Sequence, residues 1–188
     1  MLRLWLFILA FAALPAGATV TVDGNLFYFS DSFATSTTST YNRMLWDVAA
    51  SINLTKKGQL MIGWDYNSAS FTDNVNSVST AVTVTGMGPK LAYYFDKDNK
   101  WDLAFTYDLL LKGNDSNGSN TPMELQGTGM KVELGYAPQV ADDVYLGLKL
   151  NYYSASFSDT ITNQTVLTQV SYHRTVIYPS IAFILRWD

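Results

Sequence analysis

The eleven residues Ile177-Tyr178-Pro179-Ser180-Ile181-Ala182-Phe183-Ile184-Leu185-Arg186-Trp187 decide the architecture. Successive strand side chains point to opposite faces, so Ile177, Pro179, Ile181, Phe183, Leu185 and Trp187 share one wholly apolar face. Tyr178, Ser180, Ala182, Ile184 and Arg186 share the other, which is mixed and partly charged. A soluble sandwich turns its apolar face inward and leaves the polar face wet. A membrane barrel does the reverse, with apolar residues toward lipid and polar ones toward the lumen.

The same division recurs along the chain. Met44, Trp46, Val48, Ala50, Ile52 and Leu54 oppose Arg43, Leu45, Asp47, Ala49, Ser51 and Asn53, and Leu60, Ile62, Trp64 and Tyr66 oppose Met61, Gly63, Asp65 and Asn67. Met87, Pro89, Leu91, Tyr93 and Phe95 oppose Gly86, Gly88, Lys90, Ala92 and Tyr94. Trp101, Leu103, Phe105, Tyr107, Leu109 and Leu111 oppose Asp102, Ala104, Thr106, Asp108 and Lys112. Met130, Val132, Leu134 and Tyr136 oppose Gly129, Lys131, Glu133 and Gly135, and Val144 to Tyr152 alternates with Tyr145, Gly147, Lys149, Asn151 and Tyr153. An opening strand near Asn25–Phe33 completes a predicted set of eight, with its orientation left open because Phe27, Phe29 and Phe33 share a face with Asp31.

The apolar face of seven strands carries none of these charges and is rich in aromatic residues, which suit membrane–water interfaces. The opposite face collects Arg43, Asp47, Asp65, Lys90, Asp102, Asp108, Lys131, Glu133, Lys149, Arg174 and Arg186, with glycines among them. Buried charges must pair or stay hydrated, so these residues predict a structural charge network inside the barrel. Short turns are predicted near 55–58, 96–100 and 137–143, and long polar loops near 32–42, 69–79, 113–122 and 155–169. That asymmetry is the one expected of short periplasmic turns and long outer loops. The fold class is therefore all-β: an eight-stranded antiparallel up-and-down transmembrane β-barrel. A soluble β-sandwich or lipocalin-like barrel is the alternative.

Residues 1–18 read as a cleaved signal peptide. Arg3 precedes the apolar run Leu4–Leu14, and Ala16-Gly17-Ala18 has the small-residue form of a cleavage site. The barrel domain then covers residues 19–188. Without Arg3, 11 basic residues face 16 acidic ones, a formal charge of −5 with no basic run, which argues against a nucleic-acid partner. Cysteine is absent and there is a single histidine, so neither a disulfide framework nor His/Cys metal spacing is available, and no cofactor is expected.

An internal echo adds detail. Asp65–Asp73 resembles Asn151–Asp159, and Pro89–Tyr93 resembles Pro179–Phe183 in the same order, which suggests a duplicated four-stranded unit. Each proline removes a ladder hydrogen bond, so a bulge is expected in each half.

On these features the chain resembles the eight-stranded outer-membrane proteins, the group containing the OmpA membrane domain and OmpX. Members of that group end in an aromatic residue preceded by alternating apolar ones, which the barrel-assembly machinery reads. Ile181, Phe183, Leu185 and Trp187 match this signal, and Asp188 is an extra residue beyond it. The resemblance implies the outer membrane of a Gram-negative bacterium, contact with outer-membrane lipid and lipopolysaccharide, periplasmic chaperones during biogenesis, and a monomer. It implies a structural or surface-interaction role and no enzyme activity. Two alternatives stay open: a narrow pore for small ions or solutes, and a lipid A-modifying enzyme centred on His173, which lacks an assigned carboxylate and has Thr175 where a serine is expected.

Overall fold

A computed structural model describes residues 19–34, 38–55, 59–75, 78–117, 123–162 and 165–187. The signal-peptide and Asp188 expectations lie outside those residues. The described chain is all strand and turn: β1 (Val20–Ala34), β2 (Thr38–Asn53), β3 (Leu60–Val75), β4 (Val78–Tyr94), β5 (Trp101–Asn117), β6 (Met123–Tyr136), β7 (Gln139–Ala141), β8 (Val144–Thr162) and β9 (Thr165–Trp187). Each long strand pairs antiparallel with its neighbour in sequence, β6 pairs with β8, and β1 pairs with β9. Eight long strands therefore close on themselves, and β7 is a short spur paired to β8 that the sequence pattern does not announce.

The barrel has two unlike ends. At the lower end the strands turn tightly. Leu54 N donates to Leu60 O at 2.7 Å, and Asp96 Oδ1 accepts from Lys100 N and Trp101 N at 2.8 Å each. Asn99 takes the left-handed conformation (φ 53°) that such a turn requires, and Asn tolerates it better than most side chains. Beside it, Lys100 Nζ lies 2.6 Å from Asp98 Oδ2, which lowers the Asp98 pKa and raises that of Lys100.

At the upper end the structure corrects the expectation of long loops. Most residues of 32–42, 69–79, 113–122 and 155–169 continue as strand, so that β3 and β4 stay paired to Val75↔Val78 and β8 and β9 to Thr162↔Thr165. The reason is an inverted alternation. In the lower wall the outside is apolar and the inside charged. In the upper wall Phe71, Val84, Leu111, Leu125, Ala155 and Phe157 turn inward and pack together with Leu45, Tyr153 and Tyr178, while Ser, Thr and Asn residues face out. Serine- and threonine-rich segments read as loops in the sequence, yet Thr and Val suit a pleated strand once alternate residues have a core to fill.

The reversal is accomplished on β5 by a bulge. Its register to β6 shifts between Asp108 and Leu111, leaving both Leu109 and Leu110 exposed. Beyond that point the predicted faces exchange: Leu111 is buried, and Lys112 points out instead of in. The expected proline bulges divide. Pro89 sits within a register shift between Met87 and Lys90 against β5. Pro179 pairs in register with Leu150, and it lies where β1 leaves β9, since the β1–β9 ladder runs only from Val20↔Trp187 to Leu26↔Ile181. A residue without an N–H suits that open flank. Trp64↔Pro89 and Leu150↔Pro179 occupy matching places in the two echoing hairpins, so the sequence echo is also an echo of register.

Candidate functional site: the barrel interior

Eight strands leave an interior that side chains just fill. β1 supplies Asp23, β2 Asp47, β3 Asp65, β4 Lys90, β5 Asp102, β6 Lys131 and Glu133, and β8 Lys149, each of them inward and almost completely buried. Lys131 Nζ lies 3.0 Å from Asp47 Oδ2, 3.0 Å from Asp65 Oδ2 and 3.4 Å from Glu133 Oε1. Lys90 Nζ contacts Asp23 Oδ2 at 2.5 Å and Glu133 Oε2 at 2.8 Å. Lys149 Nζ reaches the same Asp23 oxygen at 3.3 Å, Asp102 Oδ2 at 3.7 Å and Glu133 Oε2 at 3.9 Å. Glu133 is thus shared by all three lysines, and each ammonium group meets several acceptors. Such multiple pairing is what a buried charge needs to offset its desolvation.

Amides extend the network. Asn25 Nδ2 donates to Asp47 Oδ1 at 2.6 Å and Glu133 Oε1 at 3.1 Å. Asn67 Nδ2 bridges Asp65 Oδ1 at 3.1 Å and Asp108 Oδ1 at 2.8 Å, and Asn151 Nδ2 donates to Ser180 Oγ at 2.8 Å. Glycine makes the space: a Cβ on Gly135 would stand 2.2 Å from Asp102 Oδ1, and one on Gly86 2.5 Å from Asp108 Oδ2. Apolar side chains flank the charges on both sides, with Met61, Ala92, Tyr94 and Ala104 toward the lower end and the Phe71–Phe157 cluster above.

The predicted charges separate into three groups. Asp47, Asp65, Lys90, Asp102, Lys131, Glu133 and Lys149 meet in the central network, and Asp108 joins through Asn67. Arg43 and Arg174 do not join it. They sit at the upper mouth over the Phe71 ring, with Arg174 Cζ 3.6 Å from its centroid and Arg43 paired to Asp73. Arg186 lies toward the lower end between the rings of Tyr94 and Tyr145, at 4.3 and 4.8 Å, as cation–π partners. Asp23 and Asn25 also belong to the network, although an opening strand read from Asn25 to Phe33 does not single them out. The signal was present in Val20, Val22 and Leu26 alternating with Thr21, Asp23 and Asn25, one register earlier than the phenylalanines that left the first strand undecided.

On the outside, Ile181, Phe183 and Trp187 of the predicted assembly signal are exposed in a row, and Leu185 is half-buried beside them. His173 also faces out, where Ser156 Oγ lies 2.9 Å from its Nδ1 and Ser171 Oγ 3.4 Å from its Nε2. Thr175 occupies the position where a serine is expected, and the hydroxyl nearest the imidazole is that of Ser156 on β8. Among the described residues no carboxylate bonds to this imidazole.

The fold and this interior define a class: a closed antiparallel barrel with an ion-paired centre and an apolar outer belt. No protein-family model matches the chain, and no curated protein matches it in sequence. Among solved structures the chain is similar to Neisserial surface protein A, with 14% identity and a TM-score of 0.41 over 91% of this chain and 96% of that one. It is also similar to the translocator domain of the autotransporter NalP from Neisseria meningitidis, with 11% identity and a TM-score of 0.41 over 97% of this chain and 66% of that one.

Proposed function

We propose that the chain is a monomeric outer-membrane barrel of a Gram-negative bacterium with a plugged lumen and a structural or surface-interaction role. One observation carries the membrane reading: the exposed wall is apolar over a limited height and polar above it. From Ile177 to Trp187 the outward face of β9 spans ten steps of about 3.3 Å, which at a strand tilt of about 40° is about 25 Å of height. That matches the apolar band of an outer-membrane barrel, and Trp64, Tyr93, Trp101, Tyr136 and Trp187 are exposed around it. An aqueous protein presenting Leu148 at 66%, Ile177 at 68% and Ile181 at 58% exposure on one continuous band would aggregate.

The plug reading rests on the interior. Among the described residues three lysines and their carboxylates fill the middle, and apolar clusters lie on both sides of them. In this reading the partners are outer-membrane lipid and lipopolysaccharide, with the assembly machinery and chaperones acting during biogenesis. In this reading the Ser156–His173 pair binds and does not catalyse, so a serine-directed fluorophosphonate should leave Ser156 unlabelled. The deciding experiment is a planar-bilayer recording on refolded protein whose folding is verified by heat-modifiable migration. No steady conductance is expected. Reproducible single-channel steps would replace the plug with a narrow pore.

A further inference from the structure

Three irregularities fall side by side on the outer wall. β5 carries the Leu109–Leu110 bulge, β6 shifts register against β8 between Gln126 and Gly127, and β8 shifts against β9 between Phe157 and Asp159. Bulges bend the strand and re-aim side chains. Here they sink a depression of about 420 Å³ into the outside of the barrel, lined by Leu110, Lys112, Gln126, Thr128, Ser156 and His173 among others. Its height is set by the chain itself. On β5 the belt ends at Leu110, on β6 Met130 gives way to Thr128 and Gln126, and on β8 Tyr152 gives way to Ser154 and Ser156. The depression therefore straddles the line where the outer wall changes from apolar to polar.

We propose that this depression binds the phosphorylated, hydroxyl-bearing headgroup of an outer-leaflet lipid, with its acyl chain descending over Leu109 and Leu110. The assignment rests on the membrane-spanning reading above. Lys112 supplies the cation. It is exposed on the outer face, and among the described residues it has no acidic partner. Ser156 and Ser171 hold the His173 ring from its two nitrogens, which fixes two hydroxyls along one edge. Asp159 lies across the depression and accepts from Ser158 Oγ at 2.7 Å, so the occupant must present an anion to one side and hydroxyl donors to the other. Leu109 and Leu110, 51% and 61% exposed, form the apolar lower lip that a bare anion would not use.

The test uses the full-length protein in nanodiscs of phosphatidylcholine containing a minor fraction of phosphatidylglycerol, with retained lipid read by native mass spectrometry. A lysine at the membrane surface is worth about 1 kcal/mol toward an anionic headgroup, so Lys112→Gln should lower the retained phosphatidylglycerol-to-phosphatidylcholine ratio about fivefold. Lys100→Gln, which removes an equal charge at the opposite end, should leave the ratio unchanged. Heat-modifiable migration verifies that both variants are folded. The proposal is overturned if Lys112→Gln keeps the preference, if Lys100→Gln loses it equally, or if millimolar inorganic phosphate displaces the lipid. Failure of the wild-type protein to enter nanodiscs would sink the membrane reading and the site together; entry without lipid preference would sink the site alone.

Discussion

Lys131 shows what a single interior residue holds in place. Its ammonium group is surrounded by Asp47, Asp65 and Glu133, and all four side chains are sealed from solvent. Replacing Lys131 with Met fits the space but leaves three carboxylates facing one another, so it should lower stability by about 3–5 kcal/mol. The midpoint of urea unfolding, followed by gel migration, measures this. Gly135→Ala is a packing test of the same network, because its new methyl group must displace Asp102; a loss of about 1–3 kcal/mol is expected by the same assay. At the lower turn, Lys100 holds Asp98 below the usual carboxylate range, so whatever this pair contributes is present above the unfolded pKa and is lost as pH falls through the folded one. The individual charges were legible because each stood at an inward position of an alternating run. Their grouping was not. Parity gives a face but not a height, so Arg43 and Arg186 looked like neighbours of Lys131 although they lie toward opposite ends.

In the membrane reading the strands carry the boundary between two environments, and substitutions along them should report it. Leu148 lies in the middle of the apolar belt and is 66% exposed, while Asn114 lies outward on the upper wall of β5. Leu148→Arg should cost about 2–4 kcal/mol, as a charge near the bilayer midplane does. Asn114→Arg should stay within about 0.5 kcal/mol, as surface changes in water do. Equal effects in refolding titrations into lipid vesicles would remove the boundary. The upper wall also has its own core, so Phe157→Ala should cost about 3–5 kcal/mol although the residue lies above the belt. That extension was the least legible part of the fold. A run such as Ser68–Thr72 has no apolar outer face, and its polar composition resembles a loop until Ala69 and Phe71 are seen to share a packed interior with strands far away in sequence. The bulge on β5 hid in the same way, since a single inserted leucine among Leu109, Leu110 and Leu111 leaves hydrophobicity unchanged while exchanging every later face.

Taken as a whole molecule, the barrel is tied together twice, around its wall by hydrogen bonds and across its interior by the ion-paired centre. The second tie involves β1, because Asp23 binds Lys90 and Lys149 while Asn25 binds Asp47 and Glu133. The wall joins the same strand to β9 through the short ladder from Val20↔Trp187 to Leu26↔Ile181, beyond which the two strands part below Pro179. All the other neighbouring long strands follow one another along the chain, but these two lie more than a hundred residues apart in it. Their meeting therefore sets a clock. Hairpins can form as soon as their two strands are present, whereas the seam and the charges that depend on Asp23 must wait until Trp187 has arrived. Non-local closure of this kind is slow. Until it occurs, Lys90 and Lys149 lack one of their carboxylates, so the wall and its ionic centre reach completion in the same final event.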